Sequence, residues 1–251
     1  MKRPALAWLV VLWFLAGGVA AAEQAAAPIN PSDYKDPIRV ACVGDSITYG
    51  AGVKDRETNG YPAVLGRMLG AKWEVKNFGV SGATMLKKGD KPYTKQKAFA
   101  AALELKPNVV IIKLGTNDTK PPNWKNKGDF AADAKDLIAE FRKIDPKVRV
   151  YVCLPVPAYP GNWGISDETI KGEIVPILLG VAKETRATVI DLYTALSGKP
   201  QLFPDKVHPN AGGAALMAAT IFRSLTGQEP PATKAAAPAN ELFNESVLCR
   251  F

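Results

Sequence analysis

Residues 38–50 read IRVACVGDSITYG, from Ile38 to Gly50. The apolar, β-branched run breaks at Gly44-Asp45-Ser46, as a buried parallel strand does when it ends and hands polar residues to a loop. In open α/β sheets, ligands sit in the crevice beyond the carboxyl ends of the strands. Ser46 is therefore a candidate nucleophile, although a serine in such a place also serves simply as a helix cap.

Outward from this stretch the chain alternates strand-like and helix-like segments. The apolar patterning gives strands at 38–43, 73–78, 109–114, 148–154 and 188–192, and helices at 61–69, 95–105, 129–144, 167–184 and 211–225. Val109, Val110, Ile111 and Ile112 in succession place the third strand centrally. This alternation predicts an α/β fold: a three-layer α/β/α sandwich around a five-stranded, doubly wound parallel sheet.

The 251 residues, 47% hydrophobic, suffice for one sizeable domain with terminal appendages. Met1 to Ala22 has a basic start, an apolar stretch and a small-residue exit, which reads as a secretory signal peptide cleaved after Ala22 and hence an exported, periplasmic or extracellular protein. The apolar stretch is shorter than the ~20 residues a membrane span needs, so stable membrane insertion is not expected. Residues 23–36 read as a flexible arm, 37–227 as the folded domain and 228–251 as a Pro/Ala-rich tail. The net charge of +8 falls to +6 without Lys2 and Arg3, and it is scattered rather than clustered. Nucleic-acid binding is not indicated. Cys42 and Cys153 lie in core strands and Cys249 in the tail, with no CxxC or Cys/His spacing, so neither a metal nor another cofactor is expected.

Four polar segments fall at strand ends or just past the last strand: Gly44-Asp45-Ser46, Ser81-Gly82-Ala83-Thr84, Gly115-Thr116-Asn117-Asp118, and Asp205 to Asn210. His208 is the only histidine in the chain. Any serine-hydrolase mechanism must use it as the base that takes the hydroxyl proton. Asp205, three residues earlier, can accept from the other ring nitrogen and fix the tautomer. The backbone N–H groups of Ser46 and Gly82 and the side-chain amide of Asn117 are candidate donors to an oxyanion. Gly82 also reads as a residue that merely permits a turn.

These blocks together resemble those of the SGNH hydrolases, or GDSL esterases: Gly44-Asp45-Ser46, the loop glycine Gly82, Gly115-Thr116-Asn117-Asp118, and Asp205 to His208, in that order. The resemblance covers about Pro37 to Gly227 and implies a flavodoxin-like fold. It departs from common family wording only at Ile47 and Thr116. It implies hydrolysis of carboxylic esters or thioesters with Ser46, Asp205 and His208 as the triad, and Ser46, Gly82 and Asn117 as the oxyanion hole.

Two loops are expected to flank the mouth, one with Trp124 and one with Tyr159 and Trp163. Exposed aromatic rings beside small polar residues suit sugar faces. The reading reached is an esterase acting on O-acetyl groups of carbohydrates, its partner a small-molecule or oligosaccharide ester. A thioesterase or lysophospholipase is the alternative within the same chemistry, and a non-catalytic carbohydrate-binding protein the alternative outside it.

Overall fold

The computed structural model describes residues 27–160 and 163–231. The signal segment, Cys249 and most of the tail lie outside the described residues. Five strands form one parallel sheet: β1 (Ile38–Gly44), β2 (Trp73–Gly79), β3 (Val109–Lys113), β4 (Arg149–Leu154) and β5 (Thr188–Asp191). Their spatial order is β2-β1-β3-β4-β5. This is the flavodoxin-like arrangement, in which the order reverses between β1 and β3 and opens a crevice at their carboxyl ends. Gly44 pairs with Lys113 there, so the Gly44-Asp45-Ser46 and Gly115-Thr116-Asn117-Asp118 segments leave adjacent strands side by side.

Alternation along the strands assigns each residue to a face. Val40, Cys42, Val109, Ile111 and Cys153 pack under α2 (Tyr61–Leu69) and α6 (Ala211–Thr226). Ala41, Val43, Val110, Ile112 and Val152 pack under α3 (Lys97–Glu104), α4 (Phe130–Ile144) and α5 (Val175–Thr185). Both faces are thus covered, which is why β3 reads as a continuous apolar run rather than an alternating one.

Three local departures from the sequence expectation have physical causes. The helix expected over 167–184 is interrupted by a wide π turn at Ile170–Ile174 that precedes α5. Pro176 has no N–H to give to the preceding turn, which accounts for the break in regular pairing. The arm before the first strand is docked in its described part: Ile29 is buried, and its N–H donates to the Leu225 carbonyl of α6 at 2.8 Å. Finally, Ser46 opens a single helical turn of its own, α1 (Ser46–Tyr49), laid across the ends of β1 and β2. A Cβ on Gly44 would stand 2.1 Å from Thr48 Oγ1, and one on Gly79 would stand 2.1 Å from the Tyr49 nitrogen, so only glycine lets the turn lie that close.

Candidate active site

Ser46 is the first residue of α1, where a backbone N–H has no partner within the helix. Its helix is capped by Asp45, whose Oδ1 accepts from the Ile47 N–H at 2.9 Å. The hydroxyl is half-buried and lies 2.8 Å from Nε2 of His208, within reach for direct proton transfer. A sequence separation of 162 residues is bridged because the loop ahead of α6 folds back over the carboxyl end of the sheet.

That loop is held from several sides. Nδ1 of His208 is 2.6 Å from Asp205 Oδ2, while Asp205 Oδ1 accepts from the backbone N–H of His208 at 2.7 Å and of Val207 at 3.0 Å. Burial pushes the Asp205 carboxyl up, but the His208 backbone and ring and the Val207 N–H outweigh it and hold the carboxyl below its ordinary value. Asp205 is thus an anion that fixes the imidazole with Nδ1 as donor, leaving Nε2 to accept from Ser46. Behind the loop, the Tyr159 N–H donates to the Lys206 carbonyl at 2.8 Å. On the other side, a Cβ on Gly52 would come within 3.0 Å of His208 Cβ, so the loop after α1 closes against the imidazole.

Gly82 sits in the left-handed region at φ +81°, a conformation that suits glycine and turns the chain sharply after β2. Asn117 is buried, and its Nδ2 donates to the carbonyl of Ala83, next to Gly82, at 3.1 Å. An amide nitrogen carries two N–H groups, so this bond leaves one for a ligand. The backbone carbonyl of Asn117 in turn accepts from Asn123 Nδ2 at 2.9 Å.

The expected mouth aromatics divide into two groups. Trp124 is buried, stacked edge-on against Phe130 at 5.5 Å with its indole N–H on Glu173 at 3.1 Å, and this corrects the expectation that it faces substrate. Burial of so large an apolar ring outweighs exposure once the indole N–H has a partner. Tyr159 is also turned inward: its ring packs on Phe203 at 5.2 Å and its hydroxyl accepts from the Lys199 N–H at 3.1 Å. Only Trp163 stands at the mouth, 64% exposed and edge-on to the His208 ring at 6.4 Å.

Two buried ionisable groups have roles that the sequence alone does not assign. Asp118 accepts from the backbone N–H of Met85 at 3.0 Å and of Leu86 at 2.8 Å, and so clamps the loop that carries Gly82. Burial raises its carboxyl to about 7 against the pull of those two N–H groups. Lys113 ends β3 fully buried against Asp45. Its signal was visible: a lysine inside the apolar run Val109 to Leu114 demands a counter-charge.

The family model of the GDSL-like lipase/acylhydrolase family matches residues 42–216. An acetylxylan esterase of Xylanibacter ruminicola is 42% identical over 213 residues, covering 78% of this chain but 44% of its own length, so the chain spans less than half of that curated relative. Among solved structures, a carbohydrate acetylesterase from Sinorhizobium meliloti superposes with a TM-score of 0.63 at 20% identity, over 75% of this chain and 98% of that one. The aryl esterase of M. smegmatis superposes with a TM-score of 0.62 at 21% identity, over 75% and 98%. These two likenesses speak for the fold. With a match running from β1 into α6 and spanning every segment at the crevice, this chain belongs to the GDSL-like lipase/acylhydrolase family of ester hydrolases.

Proposed function

We propose that the protein is an exported serine esterase that removes O-acetyl groups from carbohydrates through an acyl-Ser46 intermediate. The observation that carries the reading is the relay from Asp205 to His208 at 2.6 Å and from His208 to Ser46 at 2.8 Å. Ser46 Oγ attacks the ester carbonyl carbon as His208 Nε2 takes its proton. The carbonyl oxygen becomes an oxyanion beside the N–H groups of Ser46, Gly82 and the Asn117 amide. Collapse breaks the bond to the alcohol oxygen, and the proton on His208 passes to the departing sugar hydroxyl. Water, deprotonated by the same imidazole, then attacks the acetyl-Ser46 carbonyl; collapse breaks the bond to Ser46 Oγ, His208 returns the proton to that oxygen, and acetate leaves.

The acetyl preference is supported by the 42%-identical acetylxylan esterase and by the composition of the mouth. Trp163 offers one flat apolar face beside His208, while Trp124 and Tyr159 are turned inward, so what is presented is a platform for a sugar ring rather than a continuous apolar groove. Export is supported by the signal-peptide character of residues 1–22 and agrees with action on cell-wall or extracellular polysaccharide.

The test is the full chain and Ser46→Ala assayed on p-nitrophenyl acetate, then on acetylated xylo-oligosaccharides and on acyl esters of increasing length. The expected result is loss of at least ~10³-fold in kcat for the variant, with parent activity highest on acetyl esters. Undiminished turnover by Ser46→Ala removes the nucleophile assignment, whereas activity rising with acyl length would favour a thioesterase or lysophospholipase.

A further inference from the structure

Next to Ser46 the fold buries an ion pair that none of the hydrolytic steps uses. The ammonium of Lys113 lies 3.0 and 3.3 Å from the two carboxylate oxygens of Asp45, and both side chains are fully buried. Its third partner is Thr116 Oγ1 at 2.7 Å. Three N–H donors thus meet three acceptors. Asp45 meanwhile caps α1 through the Ile47 N–H, so one lysine links the segment that presents Ser46 with the segment that presents Asn117.

Stability alone does not account for this arrangement, because apolar residues of similar volume commonly stabilise a core at least as well as a buried ion pair. Lys113 also acts on the Cys153 thiol, which burial chiefly pushes up to about 12 and so keeps neutral. Asp45 is the anion that the ammonium answers. A bare carboxylate one residue from Ser46 would oppose the negative charge growing on the substrate oxygen, and in a low-dielectric interior such opposition is strong.

We propose that Lys113 is a positioning residue of this active site: it neutralises Asp45 next to the oxyanion and, through Thr116, holds the nucleophile segment and the Asn117 segment in register. The inference rests on Ser46 being the nucleophile.

The test compares Lys113→Met, which keeps the length and removes the charge, with the double variant Asp45→Asn/Lys113→Met, whose substituted cap can still accept from the Ile47 N–H. Both are assayed on p-nitrophenyl acetate with thermal melts in parallel. In the single variant kcat falls at least ~10-fold while KM moves less than ~2-fold, the pattern of an interaction lost in the transition state alone. In the double variant kcat returns to within ~5-fold of the parent, because no buried charge is left uncompensated. An unchanged kcat in Lys113→Met, a loss confined to KM, or a double variant no more active than the single one overturns the proposal. If the single variant does not fold, the double variant decides by the same recovery; if neither folds, the pair serves folding and the proposal fails. Ser46→Ala that stays active defeats the nucleophile assignment itself, whereas an inactive Ser46→Ala beside an unaffected Lys113→Met defeats only the role given to Lys113.

Discussion

The side-chain amide of Asn117 donates to the carbonyl of Ala83 at 3.1 Å in the interior of the protein. Through that bond the loop after β3 and the loop after β2 hold each other, the accepting residue Ala83 being the one that follows Gly82.

Asn117→Ala removes one proposed oxyanion donor and the tie between the loops. Steady-state kinetics on p-nitrophenyl acetate should show kcat lowered by ~10² to 10³ with KM little changed, and circular dichroism should show the fold retained. Gly82→Ala acts differently. The nearest atom to an added Cβ, Lys91 Cδ, is 3.6 Å away, so there is room, but φ is +81°. The expected cost is ~1 to 2 kcal/mol of backbone strain, read as a lower midpoint in urea.

In the proposed mechanism, Asp205→Asn removes the anion that stabilises the imidazolium and allows the wrong ring tautomer. A fall in kcat of ~10² to 10⁴ is expected, with the alanine variant no better. The same substitution tests a pH effect. The Asp205 carboxyl lies below its ordinary value in the folded state, so its contribution to stability is complete above the unfolded value and is lost as pH falls through the folded one. Melting temperatures of the parent and Asp205→Asn should therefore converge on acidification; a gap that widens toward acid would contradict this.

Asp118 predicts the opposite slope. Its carboxyl is raised to about 7, chiefly by burial, so between an unfolded value of about 4 and that folded value the native state binds more proton. Stability from this group is full below the unfolded value and declines as pH rises through about 7. Urea unfolding across that window should show a slope that flattens in Asp118→Asn, together with lowered activity because the Met85 and Leu86 clamp is weakened.

Trp163→Ala separates substrate recognition from chemistry. KM for acetylated oligosaccharides should rise ~3- to 10-fold, the scale of one aromatic contact, while p-nitrophenyl acetate turnover stays near the parent's. Equal losses on both substrates would instead give Trp163 a role in placing His208.

Much of this protein was legible in its sequence, because the features concerned are local. The apolar runs ending in Gly44-Asp45-Ser46 and Gly115-Thr116-Asn117-Asp118 marked parallel strands delivering polar residues to one edge, and the family model and solved relatives agree with that fold. Uniqueness did the rest: with His208 the only imidazole, its partners had to be sought around it. Trp124 is not legible in this way, because a tryptophan beside prolines looks the same whether it faces solvent or core. What turns Trp124 inward is Phe130 and Glu173, the latter 49 residues away.

By itself, then, the sequence determined the strand order's ingredients, the four polar segments and the single available base, since period, turn chemistry and composition are written along the chain. Only the tertiary structure decided which groups meet. It set Nε2 of His208 at 2.8 Å from Ser46, gave Lys113 its anion in Asp45 at 3.0 Å, and of the three expected aromatics left Trp163 the exposed one. Such pairings join residues up to 162 positions apart, and they depend on the crossover connections that bring β1 and β3 together rather than on any local preference.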